Sequence, residues 1–360
     1  MSNTKSLHDL GQSLWLDNIT REILDDGTLR RYVEQYSITG LTSNPTIFDE
    51  AIGKTAAYDK GIRQKAQAGL SGENLFVELA LEDLRRAADL FRPEFERTQG
   101  IDGWVSMEVS PLLANDTRST IDAALRIHKL ADRPNLYIKI PGTAAGVPAI
   151  EAAIFAGIPV NVTLLFSREQ YLSVADAYMR GIERRIAAGL DPRINSVASV
   201  FVSRWDRAVA DKVPPELANR LGIAVMQRTY HAHCHLIAAK RWQDLEAKGA
   251  RKQRMLWAST GTKDPKAPAG LYVEALAAPD TIDTMPEKTL LAFAEKGSVK
   301  AVMAKDGGDA EQVLSRFARA GIDVDALAAQ LQVEGAASFV KSWTELMQRI
   351  KDKSAALAAA

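Results

Sequence analysis

Along the 360-residue chain, short apolar segments rich in β-branched and aromatic residues alternate with longer stretches whose apolar positions recur at helical spacing. Eight short segments stand out: SLWLDNI (13–19), SITGLTSN (37–44), WVSMEVS (104–110), LYIKIPG (136–142), PVNVTLLFS (159–167), SVASVFVS (196–203), RMLWAST (254–260) and LYVEALA (271–277). Between them lie amphipathic stretches such as ENLFVELALEDLRRAADLF (73–91) and SREQYLSVADAYMRGIERRIAAG (167–189). Strand–helix alternation implies parallel strands joined by crossover helices, and eight such units imply a closed (β/α)8 barrel. An open doubly wound sheet is the rival, but it carries a glycine-rich turn after its first strand. Here WLDNITREIL follows, and neither GxGxxG nor GxxxxGK[ST] occurs.

The expected architecture is therefore α/β: a single (β/α)8 TIM-type barrel over residues 1–280, with residues 281–360 forming additional C-terminal helices packed on it in the same domain. KDGGDAEQ (305–312) is the linker-like stretch in that region. The last seven or so residues are expected to fray.

Composition excludes several classes. With 45 basic and 45 acidic residues the formal net charge is zero, and no basic run carries interleaved aromatics. Long-range attraction to nucleic acid or anionic membrane is therefore not expected. No window approaches about 18 uninterrupted apolar residues. The start of the chain, MSNTKSLHDLGQSLWLDN, has neither an apolar signal core nor a twin-arginine pair. The single cysteine, Cys234, excludes an intramolecular disulfide framework and a cysteine zinc cage. A soluble, cytoplasmic monomer or homodimer is the expectation.

Chemistry collects where a barrel would place it, at the C-terminal ends of the strands. Read in order, those ends supply Asp17, Asn44, Glu108, Lys139, Asn161 with Thr163, Ser199 with Arg204, and Ser259 with Lys263. Lys139 sits mid-strand between apolar neighbours, where an ammonium is costly unless compensated. A lysine in a dry pocket is driven towards its neutral, nucleophilic form, which attacks a carbonyl to give a Schiff base. Carboxylates then supply the proton transfers. Each residue alone has a plainer reading: Lys139 snorkelling to the mouth or pairing with Glu108, Asp17 and Glu108 as caps, Asn44 as an N-cap before Pro45. Their succession on consecutive strand ends favours catalysis. In HAHCH, His231 and His235 share a helical face, but no HExxH and no acidic third ligand accompany them, and a surface helix explains them better. Cys234, just before LIAA, reads as a small core residue.

The blocks LWLDN, GLTSNPTIF, SMEVSP, YIKIPGT, NVTLLFS, SVFVSR and WASTGTK resemble those of the transaldolases, in order and at matching spacing. DTIDTMPEKTL continues the likeness, and the long form with an extended helical C-terminus is the closer match. The resemblance implies Lys139 as the Schiff-base lysine and Asp17 as the acid/base on the donor's C4 hydroxyl. Glu108 would act through a water held with Thr163. Asn44, Asn161 and Ser199 resemble the residues that hold the hydroxyls of the three-carbon fragment, and Arg204 resembles the main phosphate ligand. Some transaldolases place an arginine shortly after the seventh-strand serine; here Ser259-Thr260-Gly261-Thr262-Lys263 offers a lysine, a point cation without a bidentate fork.

The reaction implied is transfer of dihydroxyacetone from sedoheptulose 7-phosphate or fructose 6-phosphate to glyceraldehyde 3-phosphate or erythrose 4-phosphate, in the non-oxidative pentose phosphate pathway. Sugar phosphates are then the partners. The iminium serves as electron sink, so no cofactor and no metal is expected. Two alternatives stand beside this reading: a fructose-6-phosphate aldolase, which shares the lysine but releases dihydroxyacetone, and a non-catalytic barrel with a regulatory or scaffold role.

Overall fold

The structure, a computed structural model, describes residues 3–299 and 301–359. Its centre is one sheet of eight strands: β1 (Ser13–Asp17), β2 (Ile38–Thr42), β3 (Val105–Glu108), β4 (Leu136–Pro141), β5 (Val160–Leu165), β6 (Ser196–Phe201), β7 (Gln253–Ala258) and β8 (Ile282–Met285). Their order is β2-β1-β8-β7-β6-β5-β4-β3, with every paired neighbour parallel. The remaining gap, between β2 and β3, is bridged by Leu41 N donating to Trp104 O and Gly103 N to Thr39 O, at 2.9 and 3.0 Å. The result is a nearly closed (β/α)8 barrel ringed by helices. Gly40 makes that seam possible: a Cβ there would lie 2.6 Å from Trp104 O and 2.7 Å from Trp15 Nε1.

Every strand is buried on both faces, which is why these segments read as continuous apolar runs rather than alternations. Seven of the eight expected segments hold strands, each ending one or two residues before the expected limit. The eighth does not. Leu271–Ala275 is a helix, and the strand is Ile282–Met285. Tyr272, Val273, Leu276 and Ala277 are all buried, a helical spacing that a seven-residue apolar run also fits as a strand. The true strand hides its character because Asp283 and Thr284, both buried, occupy its centre. A barrel boundary at residue 280 would therefore cut off its last strand.

The lower half of the barrel is plugged. Trp104 stacks on Tyr137 with centroids 4.0 Å apart, Trp15 packs on Tyr137 at 6.2 Å, and Trp15 Nε1 donates to Asp102 Oδ1 at 2.8 Å. The C-terminal end of the strands is open. The helix Val324–Ala359 is laid across that end. Arg349 forks onto Asp49 (2.6 and 3.1 Å), Lys353 Nζ donates to Thr55 O and Asp59, and Arg63 Nε reaches Leu357 O. The expected fraying is not found: the helix runs to Ala359, because these contacts hold its last turns.

Candidate active site

Strand register builds the site. Glu108 lies opposite Lys139, and Lys139 opposite Asn161, so three polar side chains from β3, β4 and β5 share one level inside the barrel. Thr163 stands one inward position higher on β5, and Ser199 faces Asn161 from β6, its Oγ donating to Asn161 Oδ1 at 2.7 Å. Asn161 in turn donates to Ser106 Oγ at 3.1 Å.

Lys139 is buried, 5 % exposed. Its Nζ donates to Ser43 O at 3.0 Å and lies 3.5 Å from Glu108 Oε2. Burial pushes the Glu108 carboxyl above its ordinary range, and the Lys139 ammonium only partly opposes this. Neither Glu108 oxygen has a hydrogen-bond partner, and the Thr163 hydroxyl is also buried without one. Unpaired polar atoms beside an open cavity are where a small polar molecule belongs. Asp17, at the end of β1, accepts from Thr42 Oγ1 at 2.7 Å, and Thr42 meets Thr284 Oγ1 at 2.7 Å. Burial raises the Asp17 carboxyl as well, against Lys139, Thr42 and Lys263, which pull it down.

Above this layer opens a cavity of about 570 Å³, lined by Asp17, Asn44, Lys139, Thr163, Ser199, Arg204, Ser259 and Lys263. Glu108 and Asn161 touch its residues without lining it. All ten residues singled out from the sequence are thus brought together. Asn44 caps the helix Pro45–Lys54, its Oδ1 accepting from Ile47 N at 3.1 Å, and it also lines the cavity.

The rim is cationic. Arg204 lies over the rings of Phe201 and Phe339, at 5.1 and 5.8 Å, with no carboxylate in ion-pair distance among the described residues. Burial, then Arg207, lowers its pKa, with Glu334 opposing. Lys263, more exposed, is lowered by desolvation and by Arg204 and Arg207, with Asp17 opposing. Ser259 adopts φ 59°, and its hydroxyl meets Ser203 Oγ at 2.9 Å. Two unpaired cations and a serine at one end, with a lysine and two carboxyls at the other, fit an anionic carbonyl compound bound lengthwise.

The transaldolase/fructose-6-phosphate aldolase family model matches residues 14–350. The chain belongs to that family. Similar relatives include the transaldolases of Saccharopolyspora erythraea, 43% identical over 359 residues with 98% of each chain covered, and of Thermobifida fusca, 43% identical with 99% of each covered. The transaldolase of Thiobacillus denitrificans is 41% identical, covering 97% of this chain and 100% of its own. Family membership makes the chain an enzyme of the transaldolase and aldolase kind, with sugar-phosphate substrates.

Sequence reasoning missed Thr42, Thr284, Phe201 and Phe339. Thr42 and Phe201 lie inside quoted blocks, GLTSN and SVFVSR, and strand alternation would have placed Phe201 on the Ser199 face. Phe339 carries no local signal, since it arrives on a helix more than 130 residues away in sequence from Arg204. The imidazoles of His231 and His235 face each other at 2.8 Å on the helix Leu221–Ala238, well outside this cavity. Among the described residues, no group of three or more His, Cys, Asp or Glu could hold a metal ion, and no helix is long and apolar enough to cross a membrane.

Proposed function

We propose that the chain is a transaldolase that moves a dihydroxyacetone unit between sugar phosphates through a Schiff base on Lys139. The observation that carries this is the group at the base of the cavity: a buried lysine amine, a carboxyl 3.5 Å away with neither oxygen hydrogen-bonded, and a threonine hydroxyl without a hydrogen-bond partner on the cavity that Lys139 lines.

As the free amine, Lys139 adds to C2 of the donor ketose to give a carbinolamine. Glu108, raised by burial and so able to carry a proton, delivers it through a water held with Thr163, and the C2 hydroxyl leaves as water. The iminium draws electrons from C3–C4 when Asp17 removes the C4 hydroxyl proton; that bond breaks and the aldose phosphate departs. An enamine remains on Lys139. Its C3 attacks the aldehyde of the second aldose, Asp17 returns the proton, and water releases the new ketose. Asn44, Asn161 and Ser199 hold the hydroxyls of the three-carbon fragment, while Arg204, Ser259 and Lys263 take the phosphate. Phe201 and Phe339 shield the cavity, which favours waiting for an aldehyde over protonation by bulk water.

Borohydride reduction with fructose 6-phosphate, followed by peptide mapping, tests the reading: the adduct is expected on the peptide bearing Lys139. An adduct on another lysine, or none, would sink it. The family also contains fructose-6-phosphate aldolases. Product analysis with and without an acceptor aldose separates the two, since an aldolase accumulates free dihydroxyacetone. The cytoplasmic monomer or homodimer belongs to the same reading, and light scattering on the eluted protein separates monomer from dimer.

A further inference from the structure

Two carbonyls at the open end of the barrel, those of Gly142 and Leu164, lie just beyond Lys139 and Thr163 on adjacent strands. Both accept from a single donor, Nε2 of Gln332, at 3.0 Å each. Gln332 is remote from both, 190 and 168 residues along the chain, and stands on the helix that crosses the barrel mouth. One turn further, Gly335 marks how close that helix comes: a Cβ there would lie 3.0 Å from Leu164 Cδ2 and 3.1 Å from Arg204 Nη1.

Leu164 is the unusual member. Its φ is 59°, in the left-handed region that a residue with a branched apolar side chain avoids. The β5–β6 register slips at the same place, Val162 opposing Ala198 but Leu165 opposing Val200, so one extra residue is accommodated in β5. Thr163, immediately before Leu164, lies within this slip. Its carbonyl accepts from Gly142 N at 2.8 Å, so Gln332, Gly142 and the Thr163–Leu164 segment form a closed triangle of hydrogen bonds. A conformation of this kind persists only when its surroundings hold it, and a bulge beside an active site commonly serves to aim a side chain.

We propose that Gln332 is a positioning residue: by donating to both carbonyls it holds the left-handed bulge that points the Thr163 hydroxyl towards Glu108 and Lys139. This rests on the reading of Thr163 and Glu108 as holders of the water used in forming and hydrolysing the Schiff base. Without the amide donor the two carbonyls lose their partner, β5 relaxes towards ordinary extended backbone, and the hydroxyl turns away. Formation and hydrolysis of the Schiff base slow down, while the phosphate end, carried by β6 and β7, keeps its geometry. The C-terminal helix thereby takes part in the chemistry rather than only covering it.

Gln332→Glu and Gln332→Met both preserve side-chain size and remove the donor. The expected result for each is a kcat lower by roughly tenfold, the scale of one lost hydrogen bond, with KM for fructose 6-phosphate changed less than about twofold. The rate of borohydride-trapped adduct formation should fall in parallel, and a melting temperature close to the parent's would show that the fold is intact. Thr163→Val alone tests the underlying reading; if it forms adduct at the parent's rate, the water assignment fails and this proposal with it. If Thr163→Val is slow, adding Gln332→Glu should slow it little further, because both act through one hydroxyl. Full kcat in Gln332→Glu, a loss confined to KM, or fully multiplicative losses in the double variant would overturn the role of Gln332.

Discussion

In the proposed reaction Lys139 and the two carboxyls near it divide the steps among themselves, and single substitutions can separate their shares. Asp17→Ala leaves the amine and Glu108 in place and removes only the group proposed to take the C4 proton. The variant is expected to form the Schiff base with fructose 6-phosphate and hold it uncleaved, so that reduction traps a six-carbon adduct on Lys139. Mass spectrometry of the peptide decides this, and a three-carbon adduct would reassign Asp17. At the other end of the cavity, Arg204 has no carboxylate in ion-pair distance among the described residues, and Lys263 provides only a point charge. A charge-assisted contact is worth roughly 1.5–3 kcal/mol, so Arg204→Ala should raise KM for phosphorylated donors about ten- to a hundredfold. Unphosphorylated ketoses should be handled almost as before. Equal losses on both classes would make Arg204 a fold residue that happens to line the cavity.

Among the elements, β2 and β3 close the barrel without a full ladder, and what permits their approach is a missing side chain. A methyl group at Gly40 would meet both the Trp104 carbonyl and the Trp15 indole within 2.7 Å. Gly40→Ala is therefore expected to destabilise the fold by about 1–3 kcal/mol, the usual scale of overpacking, read as a lower urea midpoint. An unchanged midpoint would mean that the seam is looser than its distances suggest. The same scale explains why one strand was misplaced. LYVEALA is apolar enough for a strand yet packs as a helix, whereas TIDTM forms β8 around a buried carboxyl, and a hydrophobic pattern cannot reveal a strand whose central residue is an aspartate.

For the whole molecule, that aspartate sets a dependence of stability on pH. Asp283 is fully buried; one oxygen accepts from Thr260 Oγ1 at 2.9 Å and the other has no partner. Burial pushes its pKa from 3.8 to about 7, with the Thr260 bond opposing. A raised carboxyl binds its proton more tightly in the folded state, so its stabilising contribution is complete below 3.8 and is lost as pH rises through about 7. Asp206, raised by burial to about 6, adds a slope of the same sign. Between pH 4 and 7 Asp283 should lower unfolding free energy by up to about 1.4 kcal/mol per pH unit. Asp283→Asn removes that share, so the parent-minus-variant difference should fall steadily across the window. A difference independent of pH would show that Asp283 ionises normally.

What the sequence by itself determined is local and repetitive. Seven strands, their alternation with helices, and the polar residue at each strand end follow from short-range patterns, because a parallel strand buried on both faces must be apolar except where chemistry requires otherwise. The lysine in LYIKIPG was legible for that reason: nothing in a buried strand disguises an ammonium. Tertiary structure decided everything that depends on distant parts of the chain meeting. The register that sets Glu108 against Lys139 and Lys139 against Asn161 is one such matter; others are the β2–β3 closure across Gly40 and the true eighth strand. So is the helix that brings Phe339 to Arg204 and Gln332 to Leu164. The Gln332–Leu164 contact spans 168 residues, and the pairing of the eighth strand with the first joins Ser13 to Ile282. They are selected by the closing of the whole barrel rather than by any neighbourhood in the sequence, since the free energy that holds them is gained only when both ends are already in place.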